Sequence, residues 1–352
     1  MSVLDLARPE LLALKPYSSA RMEAGSAAVM LNANESPYAP FVGDAWALNR
    51  YPDPQPRALL EQLALTYGVK AEQLFLGRGS DEAIDLLARA FCRAGQDAVL
   101  ISPPTFGMYA VAAGVQGAAV LSVPLTADND FKPDFDALRA TALAEPVKLV
   151  FVCTPNNPTG GSVAADAIAA LAADLAGRAL VVVDEAYAEF ADVPSLTTRM
   201  PQLPNLVVLR TLSKAYGLAG ARLGVLIAST EIIALIRRIM APYPVPTPCL
   251  AAALAAFSEQ ASAARMEHLA QTRRERARVQ AALASHPAVR QQWPSDANFI
   301  AFRVDDAHVS WQRLQRAGVI VRDVSHYLGL ANCLRVSIGT PAENDAFLAA
   351  LS

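Results

Sequence analysis

The stretch LRTLSKAYGLAGARLG, residues 209–224, closes an apolar run and sets a lysine among small and hydroxyl side chains. The residues leading into it, Leu206–Leu209, have the near-continuous apolar character of a strand buried on both faces. Lys214 thus lies just past the carboxyl end of a strand, where ligands bind in open α/β sheets. Lys15, Lys70, Lys132 and Lys148 occupy ordinary turn, helix-end or strand-start settings. Lys214 alone reaches this edge. Burial and a nearby cation would lower its pKa and leave a neutral amine able to attack a carbonyl. Arg222, in the same stretch, is the candidate cation and a candidate phosphate ligand.

Outward from this stretch, the spacing predicts further strands at Gln73–Leu76, Ala98–Ile101, Val147–Cys153 and Ala179–Val183. Helical patterns alternate with them, as in Asp81–Cys92, where Ile84, Leu87, Ala88 and Phe91 recur on one face. Such alternation predicts an α/β fold with a mainly parallel sheet covered on both faces. Ala241–Pro248 carries four prolines and interrupts the pattern. A long Ala- and Arg-rich helical stretch follows, then short strands near Asn298–Arg303 and Cys333–Ile338. The expected organisation is a large domain over 41–245 and a small α+β domain over 246–352. Residues 1–40 are expected to join the small domain.

The other strand ends also carry candidate chemistry. After Gln73–Leu76 come Gly77-Arg78-Gly79-Ser80-Asp81, opening directly into a helix whose free N–H groups can hold a phosphate. Alone, this is equally a plain glycine turn with Ser80 as the N-cap. After Val147–Cys153 comes TPNNPTG, which offers the Asn157 amide to a ligand or is simply a turn. After Ala179–Val183 come Asp184 and Tyr187. A carboxylate at the end of a buried strand needs a partner, either a helix terminus or a protonated ring nitrogen. Taken together, the strand ends deliver phosphate donors, an amide, an acid with a phenol, and a nucleophilic amine. That set suits pyridoxal 5'-phosphate, which has a phosphate, a phenolic oxygen, a ring nitrogen and an aldehyde.

Composition removes several other classes. The 352 residues are 53% hydrophobic and 18% charged, as in a globular protein with a sizeable core. A net charge of −3 implies no pull toward nucleic acid or an anionic membrane. The basic run at 273–278 reads as a solvated helix face. No spanning segment and no basic leader is expected, so the reading is a cytoplasmic protein. Cys92, Cys153, Cys249 and Cys333 and the four histidines are scattered, so neither a metal site nor a disulfide frame is expected. No GK[ST] occurs, which disfavours a nucleotide fold.

Together these motifs resemble those of fold-type I pyridoxal-phosphate aminotransferases. The resemblance is closest to the histidinol-phosphate aminotransferase family. It rests on LNANESP (31–37), RYPDPQP (50–56), RGSDEAIDLLARAFC (78–92), PPTFGMY (103–109), CTPNNPTG (153–160), VVVDEAYAEF (181–190), LRTLSKAYGLAGARLG (209–224), APYP (241–244) and CLRVSIGT (333–340). The resemblance implies a seven-stranded, mostly parallel sheet between helices, with a smaller domain. It also implies transfer of an amino group from L-histidinol phosphate to 2-oxoglutarate in histidine biosynthesis. Lys214 would bond the cofactor and shuttle a proton, and Asp184 would keep the ring nitrogen protonated. Tyr187 and Asn157 would bind the phenolic oxygen. Gly79, Ser80, Asp81, Thr211, Ser213 and Arg222 would hold the phosphate, and Phe106 would stack on the ring.

Tyr51 would reach the cofactor of a second subunit, which implies a homodimer with shared active sites. Arg335 would receive the acidic end of substrates, and Arg322 with Tyr17 the substrate phosphate. The stretch DVSHYLGLANCL (323–334) departs from the family pattern, and substrate selection is expected there. Aromatic amino-acid aminotransferases and threonine-phosphate decarboxylases use the same scaffold and are the competing readings.

Overall fold

The computed structural model describes residues 2–15 and 31–351. Tyr17 lies outside the described residues. Among the described residues, the large sheet contains β1 (Leu74–Gly77), β2 (Ala98–Ile101), β3 (Ala119–Ser122), β4 (Val147–Cys153), β5 (Leu180–Asp184), β6 (Leu206–Thr211) and β7 (Gly224–Ile227). Their order is β1-β7-β6-β5-β4-β2-β3. Every pairing is parallel except those of β7, which runs against both β6 and β1.

Side chains alternate across a strand, and here both faces are covered. Val181 and Val183 of β5 enter one hydrophobic core, whereas Leu180 and Val182 enter the other. The same split separates Val208 from Val207 and Leu209 in β6. All five residues of β5 and all six of β6 are buried, which is why these strands read as continuous apolar runs. Helix Ser80–Phe91 packs Ile84, Leu87, Ala88 and Phe91 into the second core.

The second body is a four-stranded antiparallel sheet of β8 (Val289–Gln292), β9 (Phe299–Val304), β10 (Arg322–Asp323) and β11 (Cys333–Ser337), in the order β10-β11-β9-β8. Helices Glu259–Ser285, Ala307–Arg316 and Pro341–Leu351 contribute Val279, Leu283, Leu314 and Phe347 to its core. The first core still includes Val245 and Ala253, so helix Thr247–Ala256 packs on the large sheet although it follows the proline segment.

The N-terminal expectation is corrected for residues 2–15. Val3, Leu6 and Ala7 pack into the large body's second core, beside helices Ser80–Phe91 and Thr230–Ile239. The Arg8 amide donates to the Ala90 carbonyl at 3.0 Å, and Arg238 donates to the Leu12 carbonyl at 2.6 Å. The apolar residues of this short segment find their burial on the nearest helical layer. No helix among the described residues is long and apolar enough to cross a membrane.

Candidate active site

The carboxyl ends of β1, β4, β5 and β6 open onto a cavity of about 260 Å³. Gly79, Ser80, Asp81, Phe106, Asn157, Asp184, Tyr187, Thr211, Ser213, Lys214, Arg222 and Arg335 all line it. Strands that lie far apart in sequence are thus brought to one edge by the parallel topology.

The turn after β1 depends on glycine. Gly79 has φ +79°, and a Cβ there would come within 2.8 Å of the Arg222 guanidinium. Gly79 is the N-cap of helix Ser80–Phe91, and no side chain caps that terminus. The terminus therefore faces the cavity with free donor capacity and positive dipole charge. Arg222 donates to Asp81 at 3.1 Å across the mouth. Behind the turn, Gly224 pairs with Gly77 on one side and with Thr211 on the other. A Cβ on Gly224 would lie 2.1 Å from the Gly79 carbonyl carbon, so only glycine lets β7 approach.

Asp184 ends β5 and is almost fully buried. Its Oδ1 accepts the Ala186 amide at 3.1 Å, and its Oδ2 accepts the Tyr109 hydroxyl at 2.7 Å. Burial outweighs these two bonds and pushes the carboxyl up to about 6. Burial likewise raises the Tyr187 phenol, which packs edge-on to Phe299 with ring centres 5.1 Å apart.

Lys214 follows β6 by a short loop in which the Ser213 amide donates to Thr211 Oγ1 at 3.1 Å. By surface area the lysine is exposed, because the cavity is open on that side. Its amine is nonetheless desolvated by the cavity walls, 5.7 Å from the Tyr187 ring centre. Burial, then Arg335, then Arg222 lower its pKa, against weaker opposition from Asp81 and Asp184. Arg335 reaches in from β11, donates to Asn157 Oδ1, and stacks 5.0 Å over Phe299. The two bodies meet at that contact.

Two predicted residues lie elsewhere. Arg322 is the cross-strand partner of Arg335, but it faces a neighbouring recess of about 450 Å³ with Trp311, Asp323 and Ser337. Arg335 borders both spaces. Tyr51 is exposed and does not line its own chain's cavity; it stacks on Tyr243 with ring centres 4.5 Å apart. Three contributors escaped the sequence reading: Cys153 and Ala186 in the wall, and Tyr109 behind Asp184. Tyr109 lies three residues after Phe106 within the quoted PPTFGMY motif, but nothing local to that motif signals its bond to Asp184.

The arrangement can hold an anion between Arg222 and the open helix terminus, a cationic ring nitrogen at Asp184, and a carbonyl carbon at Lys214. Among the described residues, no group of three or more His, Cys, Asp or Glu could hold a metal ion.

Residues 18–351 match the family model for aminotransferase class I and II. The chain is 52% identical, over 99% of its length and 97% of the relative's, to the histidinol-phosphate aminotransferase of Xanthomonas euvesicatoria pv. vesicatoria. It is 51% identical to that of Stenotrophomonas maltophilia, over 99% of this chain and 96% of the relative. Among solved structures, histidinol-phosphate aminotransferase from Sinorhizobium meliloti in complex with pyridoxal-5'-phosphate superposes with a TM-score of 0.78 at 28% identity, covering 88% of this chain and 83% of that one. The chain belongs to the class I and II aminotransferase family, within its histidinol-phosphate aminotransferase branch.

Proposed function

We propose that this chain transfers the amino group of L-histidinol phosphate to 2-oxoglutarate, giving imidazole-acetol phosphate and L-glutamate, as a cytoplasmic homodimer in histidine biosynthesis. The observation that carries the reading is one cavity holding the Lys214 amine, the Asp184 carboxyl and the Arg222 cation, with Arg335 on its wall. It is joined by similarity along nearly the whole chain to histidinol-phosphate aminotransferases.

The donor set fits pyridoxal phosphate, because each polar part of that molecule has a chemically matched group here. When bound, it supplies an aldehyde carbon for amines and a protonated ring that withdraws electrons from a carbon losing its proton. The backbone at Gly79, Ser80 and Asp81, the hydroxyls of Thr211 and Ser213, and the Arg222 guanidinium would hold the phosphate. Asn157 and Tyr187 would bond the phenolic oxygen, and Phe106 would stack on the ring. The Asp184 carboxylate would hold a proton on the ring nitrogen. Lys214 Nζ would anchor the cofactor between turnovers, and its amine would be the base that holds and moves the substrate's proton. Its lowered pKa suits this duty, since only the unprotonated amine accepts a proton.

Arg335 and Arg322 sit directly opposite each other on paired strands. Like charges in that position are unfavourable unless an anion lies between or beside them. Both substrates are anionic, and planar guanidinium groups suit carboxylate and phosphate alike. Arg335 takes the carboxylates of glutamate and 2-oxoglutarate, and Arg322, with Tyr17, takes the phosphate of histidinol phosphate. Tyr51, outside its own cavity, serves the cofactor of the second subunit.

Turnover of histidinol phosphate, phenylalanine and threonine phosphate tests the assignment. The expected order puts histidinol phosphate far ahead. Negligible activity with it would refute the assignment, in favour of an aromatic aminotransferase or a decarboxylase according to which substrate reacts.

A further inference from the structure

Behind the cavity wall, Tyr109 sits in helix Met108–Gln116 and is 1% exposed. Its ring lies flat on Phe151 of β4, with centres 4.5 Å apart and planes within 10°. The edge of the pair is closed by Phe106 at 5.6 Å, with planes 82° apart. The phenol therefore has no room to swing away. Its hydroxyl donates to Asp184 Oδ2 at 2.7 Å, and Ala186 N–H occupies Oδ1. Phe106, the wall residue nearest Tyr109 in sequence, is the candidate ring-stacking residue. One aromatic packing unit thus sets both the face and the edge of the ring site.

We propose that Tyr109 is a positioning residue for the reaction: through its hydroxyl it keeps Asp184 in the carboxylate form and aimed, so that the proton shared with the ring nitrogen stays on the ring. This rests on the functional reading above for the identity of the cofactor, and not for the identity of the substrate.

The chemistry follows from what faces Asp184. From β4 comes the Cys153 thiol, held neutral by burial. Asp81 on helix Ser80–Phe91 and the neighbouring Glu185 repel its negative charge. Tyr187 and Lys214 face it across the cavity. Burial and the two acids all favour the protonated carboxyl. Among the described side chains, Tyr109 is the one that hydrogen-bonds the carboxylate, and only as a donor, since burial holds its phenol protonated. Without that donor, Asp184 becomes more basic and draws the shared proton off the ring, which weakens electron withdrawal. A hydrogen bond to a charged group corresponds to about a ten- to hundredfold change in proton affinity.

The test measures rebinding of pyridoxal phosphate to the cofactor-stripped full chain across pH, followed by visible absorbance, alongside kcat and KM for the amino donor. In wild type, affinity falls on the acid side as Asp184 takes up a proton. In Tyr109→Phe, which keeps the ring stack, the midpoint of that fall moves up by about one pH unit, and kcat drops about tenfold or more while KM changes little. Replacing Tyr109 by a fluorinated tyrosine, a more acidic donor of nearly the same shape, moves the midpoint down and covers the case in which Tyr109→Phe fails to fold. Phe151→Leu loosens the packing but keeps the hydroxyl, and leaves the midpoint in place. An unmoved midpoint in Tyr109→Phe, or an equal movement in Phe151→Leu, overturns the proposal. Failure on histidinol phosphate with the midpoint shifts intact would sink the substrate assignment alone.

Discussion

The sheet edge of the large body and the arginine pair of the small body are built by opposite means. At the sheet edge, Asp184 and Thr211 end strands buried on both faces, so their side-chain directions follow from the pleat, and Gly79 follows the buried strand β1 by two residues. At the arginine pair, β10 is two residues long and Arg322 is exposed, with only one paired strand holding it. A rigid edge suits a cofactor that never changes. A short, exposed strand suits substrates that take turns in one pocket.

This contrast predicts that changes at the edge impair every substrate alike, whereas changes in the pair discriminate among substrates. The largest effect is expected for Lys214→Ala. It should lower turnover of every amino donor by at least about ten-thousandfold and abolish the visible absorbance of the bound cofactor. Wild-type turnover would contradict the role given to this amine. Asp184→Ala should reduce kcat about a hundredfold, again for all substrates, since an unprotonated ring is a poor electron acceptor. Activity within a few-fold of normal would remove Asp184 from the mechanism.

The small body should behave differently. Arg335→Ala is expected to raise the KM for 2-oxoglutarate about ten- to hundredfold, the usual weight of hydrogen bonds to a charged group. Arg322→Ala should raise the KM for histidinol phosphate about tenfold and leave that for glutamate within a few-fold. Equal effects of Arg322→Ala on both substrates would erase the proposed division between the arginines.

The smallest expected effect is a pH shift that links the two regions. Arg335 helps lower the Lys214 pKa by charge repulsion. In Arg335→Gln that repulsion is lost, so the lysine pKa rises and a higher pH is needed to free the amine. The acid limb of the kcat profile should move to higher pH, by less than about one unit. A shift to lower pH would mean that Arg335 acts on this amine in some other way.

What could be read in the sequence follows the same division. The strands Ala98–Ile101 and Val147–Cys153 match the expectation to the residue, because both are long enough apolar runs bounded by turns. β6 runs on to Thr211, two residues past the expected end, since Arg210 stays in the strand by pairing internally with Glu185 and Glu189. β3 escaped notice because it is a four-residue edge strand and mostly exposed. β7 was not anticipated either: it begins at Gly224, the last residue of the quoted motif, and is only four residues long. The cavity residues were legible as the ends of buried strands. Tyr109 was not, because its partner is seventy-five positions away and no local pattern marks a hydrogen bond across helix and strand. The separation of Arg322 from the main cavity was equally invisible: it lies opposite Arg335 on one sheet face, but on the edge strand β10, one strand farther out.

Gly224 carries one more consequence. Its bare α-carbon is the spacer that sets how far the anion-binding turn stands from the strand that delivers the lysine. That gap is a dimension of the backbone, untouched by whatever molecule enters from the other body. A lineage could therefore trade one amino donor for another by rewriting residues 322–335 while inheriting its cofactor socket unchanged. Any side chain at position 224 would close the socket for every descendant at once.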